Sequence, residues 1–155
     1  MGKSIQIYTD GSSLGNPGPG GWGFLIIKNE ELGIKNDIEQ GGGEKNTTNN
    51  RMELMAVIEV FKYLSTRKDM VEVEILADSN YVLGGVTGWI KNWEKNGWKT
   101  ANKKPVLNQD LWKELDILIK EYKGKIIWQK VKGHSGHEYN DRVDKIAKSN
   151  AERFN

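Results

Sequence analysis

At 155 residues the chain has the length of one domain, expected to span residues 1–155, with a core of sheet and helices and no room for a second folded unit. The absence of cysteine excludes disulfides and thiolate metal sites, so any metal ion must be held by oxygen or imidazole. No apolar run approaches the ~20 residues of a membrane span and the N-terminus lacks an apolar secretory segment, so a cytoplasmic protein without a membrane partner is expected.

The net charge of +2 is too small to imply a polyanion partner by itself; only local clustering of charge can do so. From the N-terminus, alternation of Ile5, Ile7 and Thr9 with Gln6 and Tyr8 predicts a first strand that leaves the core at Asp10. A glycine-rich turn follows, in which Gly11, Gly15, Gly18, Gly20 and Gly21 interleave with Asn16, Pro17 and Pro19 and let backbone approach a neighbour closely. Trp22 to Lys28 reads as a second strand and Gly33 to Gln40 as a weaker third, joined by short links into an antiparallel meander. Gly41 to Asn50 (GGGEKNTTNN) reads as a loop. It ends in Asn50 with Glu53 three residues on, an asparagine version of the capping box that starts a helix running to about Leu64. That helix is apolar over most of its circumference, as suits packing against a sheet under a neighbouring helix. Taken singly, Asp10 reads equally as the closing residue of an Asx-turn, and Glu53 as a first-turn acid favoured by the helix dipole.

Val71 to Ala77 repeats the first pattern, an apolar strand running into Asp78-Ser79-Asn80, although Asp78 alone also reads as an N-cap. Two such strands, if they are parallel neighbours, deliver two carboxylates to one edge of the sheet, where open α/β sheets bind ligands. Like charges held so close require a proton or a cation between them, and a hard divalent cation suits oxygen ligands. A glycine-interrupted helical stretch then leads into Trp89 to Lys104, which carries Trp89, Trp93 and Trp98 and five lysines, Lys99 among them, against one acid. This segment reads either as an aromatic satellite core or, because anchors and charge coincide, as a grip on a nucleic-acid backbone. Asn108 is expected to cap the next helix, with Leu111, Leu115, Leu118 and Tyr122 facing inward. Ile126 to Val131 is a fifth strand, opening into a loop with both histidines, His134 and His137. The last helix begins at about Asn140 and sets Asp144 on the inward row of Ala147 and Ala151.

Together, Asp10 and Asp78 at strand ends, Glu53 and Asp144 in first helical turns, and His134 on a strand-leaving loop form a constellation that capping alone does not explain. Oxygen ligation suits magnesium or manganese, and a pair of such ions can activate water and stabilise the leaving oxygen of a phosphodiester. His134 can relay a proton there, having an unperturbed pKa of about 6.5, whereas His137 has no comparable anchor.

The motifs TDGSSLGNPGPGG, TTNNRMEL, DSNYV, WIKNWEKNGWKTANKKPV and VKGHSGH continuing to Asp144 resemble, over nearly the whole length, the type 1 (bacterial-type) ribonuclease H enzymes. The resemblance implies an α/β ribonuclease H-like fold: a five-stranded mixed sheet, strands 1–3 antiparallel, 4–5 parallel, with helices on both faces. It also implies hydrolysis of the RNA strand of an RNA–DNA hybrid to 3′-hydroxyl and 5′-phosphate ends by a two-metal-ion mechanism, with Mg2+ or substituting Mn2+. By resemblance Asp10, Glu53, Asp78 and Asp144 match metal-binding carboxylates, Asp10 lying between the ions, and His134 a mobile catalytic histidine. Asn16, Asn49 and Asn50 match groups that sense 2′-hydroxyls in the minor groove. Trp89, Trp93 and Lys99 belong to a segment, about 89–104, that matches a basic protrusion gripping the DNA strand. An extra N-terminal hybrid-binding domain, as found in some relatives, is not expected, and a monomer is the default expectation. Two other classes stay open from the residues themselves: a non-catalytic nucleic-acid-binding module, and a metal-dependent nuclease or phosphoryl transferase acting on DNA.

Overall fold

The computed structural model describes residues 4–67, 71–131 and 138–155. Strand β1 (Ser4–Ser13) lies at the middle of the sheet, because its apolar residues alternate onto both faces. Ile5 and Ile7 are fully buried on one side, in the main core, and Tyr8 is buried on the other with Leu25, Val131 and Val143. Antiparallel β2 (Gly18–Ile26) and β3 (Ile38–Thr47) lie on one flank, and parallel β4 (Glu72–Ala77) and β5 (Ile126–Lys130) on the other, in the order β3-β2-β1-β4-β5. The expected mixed sheet is therefore present.

Helix α1 (Asn49–Leu64) covers one face, with α4 (Gln109–Glu121) packed beside it. Between them and the sheet lies the larger core, where Phe61 and Trp112 are wholly buried at a gain of roughly 2–3 kcal/mol each. Helix α5 (Glu138–Arg153) lies across β1, β2 and β3 on the opposite face. Between β4 and α4 a continuous helical run comprises α2 (Asn80–Gly84), a π-helical turn (Gly85–Trp89) and α3 (Ile90–Lys95). Among the described residues no helix is long and apolar enough to cross a membrane.

Several boundaries differ from those expected of the sequence. Strand β1 does not leave the core at Asp10 but continues to Ser13, pairing Asp10 with Gly23. The glycine-rich turn thus shrinks to the residues between β1 and β2, and Gly18, Gly20 and Gly21 are strand residues. The third strand begins at Ile38, not Gly33, and takes in Gly41, Gly42 and Gly43, which composition reads as loop. The reason is tertiary. Gly21 pairs with Gly43 and Gly23 with Gly41, giving a floor without side chains on which α5 rests. A Cβ at Gly21 would stand 2.2 Å from the Ala147 carbonyl oxygen, and one at Gly41 2.4 Å from Asn150 Nδ2. The N-cap of α1 is Thr48, whose hydroxyl accepts the Arg51 N–H at 3.2 Å, so the expected Asn50–Glu53 box does not form. Asn108 stands at the start of α4 in the left-handed region and makes no side-chain cap. Its carboxamide instead accepts from Arg51 Nη1 and donates to the Tyr81 hydroxyl.

Candidate active site

The parallel pairing of β1 with β4 keeps a constant register from Ser4 opposite Glu72 to Tyr8 opposite Leu76. Carried two residues further, that register sets Asp10 beside Asp78, so neighbouring strands bring both acids to the same end of the sheet. Glu53 reaches them from the first turns of α1. Oxygens of Asp10, Glu53 and Asp78 all lie within 4.8 Å of one another, the first two residues buried and the third exposed.

Close approach of α1 depends on Gly11. Its N–H donates to Glu53 Oε1 and to its neighbour Asp10 Oδ1, both at 2.9 Å, and a Cβ in its place would stand 2.3 Å from the Glu53 nitrogen. Glu53 is therefore turned into the sheet and does not cap its own helix. The glycine floor does the same for α5. By letting that helix settle onto β1–β3 it brings Asp144 within hydrogen-bonding reach of Asp10. Asp144 lies in the second turn of α5, not the first, since the helix already begins at Glu138.

Burial above all, with the negative charge of Asp78 adding to it, pushes the Asp10 carboxyl up from its ordinary 3.8 to about 7. Burial and then the charge of Asp10 push Glu53 well above its ordinary range. The cluster thus resists carrying full negative charge without a cation. Glu53 Oε2 is buried with no hydrogen-bond partner among the described residues, a lone pair left for a ligand. An all-oxygen donor set, an unpartnered buried oxygen and raised carboxyls together fit a hard divalent cation.

The other residues singled out in the sequence divide. Asn16, at the β1–β2 turn, accepts the Asn49 N–H at 3.0 Å, so these two lie together, and Asn50 follows within α1. Trp89 is 43% exposed, whereas Trp93 packs edge-on against Trp112 and beside Trp98, so the shared helical face of Trp89 and Trp93 does not make them equivalent. Lys99 is exposed. His134 lies outside the described residues, as does most of the VKGHSGH motif. Arg51, which no local pattern marks as functional, joins α1 to α4 through a two-point ion pair with Asp110 at 2.9 and 2.7 Å. Its only sequence signal was its place within TTNNRMEL.

A mixed five-stranded sheet with carboxylates clustered at one end of its central parallel pair defines an α/β protein with an acidic cluster able to hold a hard cation, of a kind suited to phosphoryl transfer. The sequence profile of the RNase H family matches residues 2–152. The chain is 50% identical over 152 residues to a ribonuclease H of Brucella ovis, covering 98% of this chain and 92% of that protein. Identity to a ribonuclease HI of Brucella melitensis is likewise 50%, with the same coverage. Among solved structures it resembles LC9-RNase H1, a type 1 RNase H with the type 2 active-site motif, at a TM-score of 0.83 and 30% identity over 100% of this chain and 75% of that one. It also resembles LC11-RNase H1 in complex with RNA/DNA hybrid, at a TM-score of 0.67 and 27% identity over 97% of this chain and 98% of that one. The chain belongs to the RNase H family.

Proposed function

We propose that this protein hydrolyses the RNA strand of RNA–DNA hybrids as an endonuclease, with Mg2+, or Mn2+ in its place, as cofactor and two ions held when substrate is bound. The observation that carries the reading is the convergence of Asp10, Glu53 and Asp78 within 4.8 Å, in a chain of this family. Asp10, Glu53, Asp78 and Asp144 would hold the cations, with Asp10 shared between them. Cations bound there supply Lewis-acid polarisation of the scissile phosphate and a more acidic attacking water.

The chain's own residues do the rest. The Gly11 N–H keeps Glu53 turned toward the cluster, and burial keeps Asp10 short of solvent, so that an arriving cation takes the place of protons as the neutralising charge. Water adds to phosphorus as the bond to the 3′ oxygen breaks. His134 moves a proton at the attacking water or to the departing oxygen, leaving a 3′-hydroxyl and a 5′-phosphate. Asn16, Asn49 and Asn50, grouped at the hairpin turn and the start of α1, are suited to reading 2′-hydroxyls. Trp89 and Lys99 offer an exposed ring and a cation to the DNA backbone, with Trp93 beneath Trp89 as its support.

The test is one labelled sequence presented as RNA–DNA hybrid, single-stranded RNA, duplex RNA and duplex DNA, each with magnesium, manganese and chelator. Metal-dependent cutting of RNA only in the hybrid is expected. Binding without cutting would make the protein a non-catalytic module, and cutting of duplex DNA would overturn the substrate.

A further inference from the structure

Asp144 reaches Asp10 but is not one of the three carboxylates that converge within 4.8 Å. It is half-buried, with 39% of its side chain exposed, and a lysine sits on it: Lys148 Nζ is 3.0 Å from Asp144 Oδ2, one turn further along α5. The same ammonium also lies in the field of Asp10. Lys148 itself is 61% exposed on a four-carbon stem, so it can swing into water at little cost. A divalent cation shared by Asp10 and Asp144 would bind the carboxylate that Lys148 now pairs with.

Resting on the metal-dependent reading above, we infer that Lys148 is a built-in counter-cation for the Asp144 end of the site, holding that carboxylate when no divalent cation is bound and competing with one for it. The ammonium is no ligand, and its effect is electrostatic. It screens Asp144 from Asp10 in the cation-free protein and repels an incoming ion afterwards. An exposed pair four residues apart on a helix is weak, so the barrier it sets is small and tunes affinity without blocking occupancy. The sequence carries the signal, an acid followed four residues later by lysine, but in that form it is indistinguishable from an ordinary surface pair.

The test is calorimetric titration of the whole chain, stripped with chelator and dialysed, with MgCl2 and with MnCl2 at low ionic strength. Lys148→Met keeps the length of the stem without the charge, and Lys148→Arg keeps the charge. Lys148→Met is expected to bind the cation about two- to fivefold more tightly than the parent, and Lys148→Arg to match the parent. In chelator, the melting midpoint of Lys148→Met should lie at or below the parent's, opposite in sign to its gain in affinity. Equal or weaker cation binding by a folded Lys148→Met, or equally tighter binding by Lys148→Arg, would overturn the role of the lysine and leave the metal reading standing. Absence of saturable binding by the parent would overturn the inference, which needs an ion bound without substrate, whereas the metal reading stands or falls on metal-dependent cleavage of the hybrid.

Discussion

Gly11 and Glu53 meet through a 2.9 Å hydrogen bond from the backbone N–H of one to Oε1 of the other, across the contact between the central strand and the start of α1. That contact has no room for a side chain, since a Cβ on Gly11 would stand 2.3 Å from the Glu53 nitrogen and 2.4 Å from the Met52 carbonyl carbon. Both are backbone atoms and cannot rotate away. Gly11→Ala is therefore expected to push α1 off the sheet, lowering stability by about 2–4 kcal/mol and hybrid cleavage by more than tenfold. Denaturant melts and cleavage rates under folded conditions check this. A variant as stable as the parent would mean that α1 packs less closely than described.

The raised carboxyls make stability depend on pH. Asp10 holds its proton more tightly folded than unfolded, so its stabilising contribution is complete below its ordinary 3.8 and is lost as pH rises through about 7. Glu53 shifts in the same direction. In chelator the protein should melt several degrees lower at about pH 8 than at about pH 5.5, and magnesium should recover much of the difference. Asp10→Asn should flatten the profile, abolish cleavage and leave hybrid binding largely in place. Circular dichroism melts across that range decide the matter, since a level or rising profile in the parent is incompatible with a raised Asp10.

Arg51 joins the helix bearing Glu53 to α4 by its pair with Asp110 and its bond to the Asn108 carboxamide. Its side chain is 28% exposed and that of Asp110 65%, so the pair is partly screened and the arginine has more to lose. Arg51→Met should cost about 1–2 kcal/mol and Asp110→Asn less than about 1 kcal/mol. A double-mutant cycle should return a coupling near the smaller loss, whereas additive losses would mean the two groups act independently.

Trp89 and Trp93 should separate by phenotype. Trp93→Ala removes a ring packed on Trp112 and Trp98 and is expected to cost about 3 kcal/mol of stability. Trp89→Ala should cost about 1 kcal/mol or less, weaken hybrid binding severalfold, and act more strongly than Lys99→Ala. Lys99→Ala should instead reduce the salt dependence of binding. Calorimetric melts and hybrid binding at two salt concentrations distinguish them. Equal stability losses at both tryptophans would erase the distinction between support and contact.

Much of the fold is legible in the sequence, for a local reason. Period-two alternation at Ile5, Ile7 and Thr9, the apolar circumference of α1 and the inward row of α4 are properties of adjacent residues, and the elements formed where those patterns lie. The repeated motif of a strand running into aspartate likewise pointed to Asp10 and Asp78. What failed was punctuation: Gly41, Gly42 and Gly43 read as loop because glycine within a strand makes sense only once the helix resting on it is known.

The amino-acid sequence by itself determined which elements form, that any metal site must be made of oxygen or imidazole, and which acids were available for it. Tertiary structure alone decided that β1 and β4 are parallel neighbours in a register that aligns Asp10 with Asp78. It also decided that Glu53 turns inward to Gly11 and that α5 comes down on a bare glycine floor. Strand neighbours and the depth at which helices pack are set by contacts between residues far apart in the chain. A local pattern can present a carboxylate, but only the packed sheet brings three of them within 4.8 Å and raises the free energy of leaving them charged.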